Sequence, residues 1–282
     1  MIKFSILPSG LHLFGEAANT IIKKRYSLNN GIVEQSIQTD IPIQPTLHWK
    51  TKTHFIACEV AQRPFPVSIK EQFADIITTG QPIRIIVAYP KNNQLSSAEY
   101  QKDVISCKKF GIGYMGIDDN GAGVIEYPGI SLSLYIPFPS DFSSFKNKIK
   151  TDVQDCYEHY LLKGDPDIGL QNLGQIVERL LYTTAEQAKK KGNFIYSGFN
   201  PPAFIKQATL INEMIKENVL DNGILGRCKD FAKDRNSVSH KPSTLTEAKK
   251  VEKKLKDNFI TGTRILEDLP DAILKKSYKI KM

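Results

Sequence analysis

Hydrophobic positions first recur at helical spacing. In LHLFGEAANTIIKK, Leu11, Phe14, Ala18 and Ile21 fall on one face, which predicts a helix from Leu11 to Lys24. Asn29-Asn30-Gly31 marks a turn. The period then shortens: GIVEQSIQ and PTLHWK read as short strands. THFIACEVA, Thr53 to Ala61, reads as a stronger one, broken by Pro64 and Pro66. SIKEQFADIITTG predicts a helix with Ser68 as its cap, Glu71 three positions on and Gly80 at its end. PIRIIVAYP is continuously apolar, as a strand central in a sheet is. SSAEYQKDVISCKKFG returns to helical spacing. GYMGID and GVIEYP, on either side of Asp119-Asn120-Gly121, predict a hairpin, and ISLSLYIP one further strand.

After Phe138 the pattern changes. FPSDFSSFKNK, Phe138 to Lys148, is rich in Pro and Ser and reads as a linker. From about Ile149 the periodicity is helical throughout. TDVQDCYEHYLLKG predicts one helix, stopped by Gly164 and Pro166. LQNLGQIVERLLYTTAEQAKKKG predicts a long amphipathic helix with Leu173, Ile176, Leu180 and Leu181 on one stripe. Lys189, Lys190 and Lys191 complement its C-terminal dipole, and Gly192 ends it. PPAFIKQATLINEMIKENVL opens on prolines, as helices do. ILGRCKDFAKDRNSVSH follows, and the last helix opens at a cap formed by Thr244 and Glu247. The expected architecture is α+β: an α/β domain with a mixed sheet over residues 1–140, then an all-α bundle over 149–282.

Composition adds little constraint on fold and some on partners. Hydrophobic residues make up 41% of the 282 and charged residues 24%, ordinary for globular chains. The net charge of +8 favours anionic partners such as nucleic acid or an acidic membrane surface. Cys58, Cys107, Cys156 and Cys228 contain no C-x-x-C pair, which argues against a zinc ribbon and fits reduced thiols in a cytoplasmic protein. MIKFSILPSG has neither a long apolar run nor a cleavage signature, so no signal peptide is expected, and no segment predicts a membrane span.

The stretch KDRNSVSHKP, Lys233 to Pro242, carries the candidate chemistry. RNA brings its own nucleophile, the 2′-hydroxyl. Cleavage needs a proton removed from that oxygen, a proton given to the leaving 5′-oxygen, and cations or donors for the phosphate. His240 titrates near neutral pH and suits either proton role. Arg235 matches phosphate with a planar fork, and Asn236 donates to a phosphate oxygen or orients the histidine. On a continuous helix, five positions at ~100° each would set Arg235 and His240 about 140° apart. Either the helix is distorted there or a second copy completes the site. A simpler alternative has Arg235 and His240 capping a helix C-terminus with no catalysis. An Arg-Asn-x-x-x-His run before a final amphipathic helix in an all-α half resembles the HEPN family, many of whose members are ribonucleases. That resemblance implies a metal-independent site of Arg235, Asn236 and His240, pooled between two copies in a homodimer, with no cofactor. Glu178 and Lys241 are candidate supporting residues, and Glu178 or Glu186 on the long helix would buttress Arg235. The family's settings imply toxin or antiphage defence and an antitoxin, sensor or defence-system partner.

The order of elements in the first half resembles the core of PD-(D/E)XK nucleases. Their metal site needs an Asp on one strand and an acid and a Lys on the next. PTLHWK and CEVAQ put Thr46, Glu59 and Ala61 at those places. Thr46 is no substitute for a carboxylate on a hard cation, and Ala61 carries no charge. The resemblance therefore implies a degenerate nuclease site, with no metal expected. A different set, His48, His54 and Glu59, is the alternative metal candidate. Were the lysine-dependent chemistry absent and RNSVSH also inert, the chain would be a non-catalytic nucleic-acid-binding or interaction module.

Overall fold

Six strands pair in the order in which they occur along the chain. The computed structural model describes residues 2–38, 41, 43–65, 73–92, 95–195, 206–236 and 241–282, and the elements named here lie among them. β1 (Ile32–Val33), β2 (Leu47–Lys50) and β3 (Phe55–Val60) form an antiparallel meander. β4 (Ile83–Pro90) runs parallel to β3, and β5 (Gly113–Ile117) runs parallel to β4. β6 (Gly123–Tyr127) closes the mixed sheet as an antiparallel edge.

The continuous apolar run of β4 has a direct structural cause. Ile83, Ile85, Val87 and Tyr89 enter one core, with Phe73 and Ile76 of α2 (Phe73–Thr79) and Val104 and Cys107 of α3 (Ser97–Lys109). Ile86 and Ala88 enter the opposite core, with Phe14, Ala18 and Ile22 of α1 (His12–Tyr26). A strand covered on both faces has no polar side to show. β6, at the edge, instead alternates between exposed and half-buried positions. Its hairpin turns at Gly121, whose φ of 78° is open to glycine at no steric cost. α3 starts at a reciprocal cap: Ser96 Oγ accepts the Glu99 N–H, and the Glu99 carboxylate accepts the Ser96 N–H.

The chain divides into two compact units, and the division is not a single cut. The first is Met1–Phe138 with Leu161–Asp165 and Lys241–Lys253; the second is Pro139–Tyr160, Pro166–His240 and Lys254–Met282. The sheet belongs to the first. Into the same unit come the opening turns of α8 (Leu245–Lys275): Leu245 packs on the core that holds β4, and Lys249 Nζ donates to the Thr79 carbonyl at 3.0 Å. Glu252 accepts the hydroxyls of Ser131, at 2.7 Å, and Ser133. Burial raises its carboxyl pKa, against the two serine hydroxyls and the nearby Arg84 charge.

The second unit is helical, with no strand among its described residues: α4 (Asn147–Tyr157), α5 (Pro166–Lys190), α6 (Gln207–Lys216), α7 (Asn222–Asn236) and the remainder of α8. Its centre is aromatic and aliphatic. Phe259 of α8 meets Tyr157 edge-on at 5.0 Å and Tyr160 at 4.2 Å between ring centroids. Leu173, Val177 and Leu180 of α5 are fully buried. None of the described helices is long and apolar enough to cross a membrane.

Several sequence expectations are corrected. ISLSLYIP is no strand: it forms a short 3-10 turn over Leu132–Leu134, because both serine hydroxyls turn to Glu252 while Ile130, Leu132 and Leu134 bury. FPSDFSSFKNK is no solvated linker, since Phe142 and Phe145 are buried and Phe142 packs edge-on against Tyr157. TDVQDCYEHYLLKG is not one uniform helix; α4 gives way to a π-helical turn over Glu158–Leu162 before Gly164, and Pro166 begins α5. The Ser68 cap and Glu71 fall outside the described residues, as do the prolines before α6. Of GIVEQSIQ only Ile32 and Val33 join the sheet, since Glu34, whose N–H still bonds the Thr46 carbonyl, takes a left-handed φ of 48° that ends the strand; Gln38 makes an isolated bridge to Ile41.

That conformation turns the Glu34 carboxylate onto the N-terminal segment, where it accepts the N–H groups of Ser5 at 2.6 Å and of Ile6 and Leu7 at 2.8 Å, with the Ser5 hydroxyl at 2.5 Å. Burial pulls the carboxyl upward, but these donors together outweigh it and hold the pKa down to about 2, from the ordinary 4.5. A folded pKa below the unfolded one means stability that is present above about pH 4.5 and lost as pH falls toward 2. In urea melts run across that window, wild type is expected to lose more stability on acidification than Glu34→Gln. Parallel pH profiles for the two proteins would show that the carboxylate anchors nothing.

Candidate functional site

The long helix α5 begins at Pro166, where the missing N–H costs nothing. Its buried face includes Leu170, Leu173, Ile176, Val177, Leu180 and Leu181. At the rim of that face, four residues apart, stand Gly174, Glu178 and Tyr182. Arg235, in the last turn of α7, lies across this rim. A methyl group at Gly174 would collide with the Arg235 guanidinium, so the absence of a side chain there is what lets the arginine lie against the helix. One turn on, Glu178 Oε1 accepts a bond from Arg235 Nη2 at 2.7 Å. The two side chains are 18% and 28% exposed, enough burial to make the pair firmer than a surface ion pair. Burial raises the Tyr182 phenol pKa, with the Glu178 charge adding and the Arg235 charge opposing. Tyr182 therefore shares the electrostatic environment of the pair.

The arrangement fixes a cation in place. A guanidinium has five N–H donors, and among the described residues the bond to Glu178 engages one of them. The neighbouring Asp234 reaches Lys254 Nζ only at 3.8 Å, with both side chains about half exposed. Asn236 is the last residue of α7, and Lys241 is exposed where description of the chain resumes. His240 lies outside the described residues. Of the Arg235, Asn236 and His240 set, the structure thus places the Arg235 side chain. Glu186 stands two turns beyond Glu178 on α5, and it is Glu178 that holds the arginine.

In the first unit, Thr46 immediately precedes β2, and its hydroxyl accepts the Val60 N–H at 3.1 Å, so it is engaged in holding the strand ends together. Glu59 is buried on β3, at 9% exposure. Ala61 follows that strand and donates its N–H to the Ala88 carbonyl at 2.9 Å. The nearest cation in sequence, Arg63, is bound to Asp103 through two bonds of 2.8 Å, so it does not fill the place that Ala61 leaves without a charge. The His48, His54 and Glu59 metal set is corrected. Among the described residues no three His, Cys, Asp or Glu side chains gather as metal ligands would. The reason is the pleat. His48 pairs across β2 with Ala57, whereas His54 has the parity of Ile56, on the opposite face. There His54 packs on Tyr26 of α1, and burial with the Arg84 charge pushes its pKa down to about 4. Burial also lowers His48, opposed by a bond from its ring to the Gln35 backbone.

Gly174 is the site residue that sequence reasoning missed. Its signal was present: a glycine inside an amphipathic helix costs up to about 1 kcal/mol against alanine, which calls for a close approach by something else. Comparison of the chain with protein-family models, with curated proteins and with solved structures finds no match.

Gly174→Ala should therefore destabilise the protein by about 1–3 kcal/mol through overpacking, although alanine is the better helix former. Urea denaturation measures this. A variant as stable as wild type, or more so, would mean that the Arg235 side chain swings away from the added methyl group at little cost.

Proposed function

We propose that the chain is a metal-independent endoribonuclease whose site contains Arg235, Asn236 and His240 and is completed by a second copy of the chain. The observation that carries this reading is the seating of Arg235, held across Gly174 by Glu178 at the end of α7, next to Asn236 and five positions before His240. An arginine fixed in orientation meets a phosphate with little loss of side-chain freedom. Glu178 acts as a positioning residue. His240 takes the proton of the RNA 2′-hydroxyl or supplies one to the leaving 5′-oxygen. The 2′-oxygen bonds to phosphorus, the bond from phosphorus to the 5′-oxygen breaks, and the products are a 2′,3′-cyclic phosphate and a 5′-hydroxyl. One chain offers a single histidine of this kind, so the second proton role falls to the partner copy.

The resemblance of the segment to HEPN ribonucleases extends the proposal to a toxin or antiphage role, with a restraining or sensing partner. In the first unit, the strand order and the Thr46, Glu59 and Ala61 positions support a restriction-endonuclease-like scaffold without its cutting residues. We assign it to holding substrate or sensing a signal.

A second reading rests on the same pair. Glu178 already neutralises much of the Arg235 charge, as expected if the pair merely ties α7 to α5 in a non-catalytic binding module. The two readings separate in one experiment. Purified wild type, Arg235→Ala and His240→Ala are incubated with total RNA in excess EDTA. The ribonuclease reading expects cleavage by wild type, ends carrying a cyclic phosphate, and rates lower by about 10²–10⁴ in His240→Ala. Undiminished cleavage by that variant would remove His240 from the site. RNA binding without turnover by wild type would favour the binding module.

A further inference from the structure

The end of the second unit is built around an extended segment. After α8 the backbone turns at Ser277, with a φ of 57°, and runs back along α5. Lys191 Nζ donates to the Ser277 carbonyl at 2.7 Å and lies 4.9 Å from the centroid of the Tyr278 ring, which is buried. The Lys279 N–H donates to Gln187 Oε1 at 2.8 Å, and the Gln187 amide donates back to the Lys279 carbonyl at 2.8 Å. The Thr183 hydroxyl donates to the Lys281 carbonyl at 3.3 Å. Successive anchors are thus Lys191, just past the end of α5, then Gln187 and Thr183 on it, about one turn apart.

Alternate side chains of an extended segment point to opposite sides. Tyr278 turns in, and Lys279 and Lys281 stand exposed. Lys189 and Lys190 are exposed in the last turn of α5, and Lys275 in that of α8. Compensation of helix dipoles accounts for lysines at helix ends. It does not account for Lys279 and Lys281, which belong to no helix. Among the described residues none of these lysines is ion-paired with a carboxylate. The acids on the adjoining turns are Glu186, Asp268 and Asp271; Asp268 is paired with Arg227 at 2.7 Å and Asp271 with Lys146 at 2.8 Å. The segment follows the stripe of Thr183, Gln187 and Lys191, which at ~100° per residue lies about 140–180° around α5 from Glu178, where Arg235 rests.

We propose that this lysine surface holds the sugar–phosphate backbone of the single-stranded RNA that the Arg235 site cleaves. The proposal rests on the reading of Arg235 as part of an RNA-cleaving site. Ammonium groups on a fixed backbone bind phosphates as point charges, with counterions released. Among the described residues no exposed aromatic ring stands beside these lysines to stack a base, so the lysines themselves bind without regard to sequence. An anionic membrane fits less well, because a surface-lying segment presents a broad apolar face. Here the aromatic residue is buried, and the exposed large apolar residues after α5 and in the tail, Ile195, Leu274 and Met282, are too few for such a face.

The test uses the full chain with Lys189, Lys190, Lys279 and Lys281 all changed to Gln, which leaves every backbone bond of the segment in place. Fluorescence anisotropy follows a labelled, mixed-sequence single-stranded RNA across a salt series, with melting temperature as the control for folding. The variant should bind at least about tenfold more weakly near 0.1 M salt, with a log–log salt slope shallower by about 2–3, at roughly 0.7 for each phosphate that is no longer neutralised. Equal binding by variant and wild type overturns the proposal, whatever cleavage assays show. Wild type that binds phosphatidylserine vesicles and no RNA also overturns it. Arg235→Ala, run alongside, should lose cleavage and weaken binding less than the four-lysine variant does. If wild type binds through these lysines and cleaves nothing, the ribonuclease reading falls and the lysine surface stands.

Discussion

A strand buried on both faces must be covered on both faces, and that constraint organises the first unit. β4 has no polar side, so α1 is required over one face and α2 with α3 over the other. Parallel neighbours on both flanks follow, since the helices that cover β4 also connect it to β3 and β5. Only beyond those neighbours does the chain return to hairpins. There β1 and β2 extend one edge and β6 the other, with the half-exposed pattern that an edge allows. Removing apolar surface from water at β4 therefore decides more about this half than any polar contact in it.

The second unit depends on a polar contact in a different sense. Its helices associate through Leu173, Val177, Phe231 and Phe259, all buried. The bond between Arg235 and Glu178 adds a directional contact, because an N–H···O bond weakens steeply as it bends. Gly174 makes room for that geometry at some expense in helix propensity. The pair is thus better understood as fixing position than as adding stability.

What could be read from the sequence follows from the range of the interactions involved. β4 and the hairpin at Asp119-Asn120-Gly121 are local patterns, and both are found where periodicity and turn chemistry put them. ISLSLYIP has the alternation of a strand, yet its serines answer to a carboxylate more than 100 residues away, which no local window contains. Glu34 left its strand for backbone donors near the chain start. At the candidate site, Arg235 was legible as a residue type, while its partner was ambiguous between Glu178 and Glu186. The choice depends on how α7 meets α5, 57 residues apart in sequence. The hydroxyl of Thr46 was legible as a missing carboxylate, and its actual role in holding Val60 was not.

The hydroxyls of Ser131 and Ser133 reach Glu252 across 121 and 119 residues. A ribosome delivers the chain from its N-terminus, so the whole sheet emerges long before that carboxylate does. Until Leu245 and Glu252 arrive, part of the apolar core beside β4 faces water and two hydroxyls wait for their acceptor. The first unit is begun early and finished late, with the entire helical unit but its last stretch synthesised in between. Contacts of such long sequence separation slow folding. A newborn chain therefore passes through a period in which its sheet exists and its closing helix does not, and any chaperone that attends it would meet that exposed edge first.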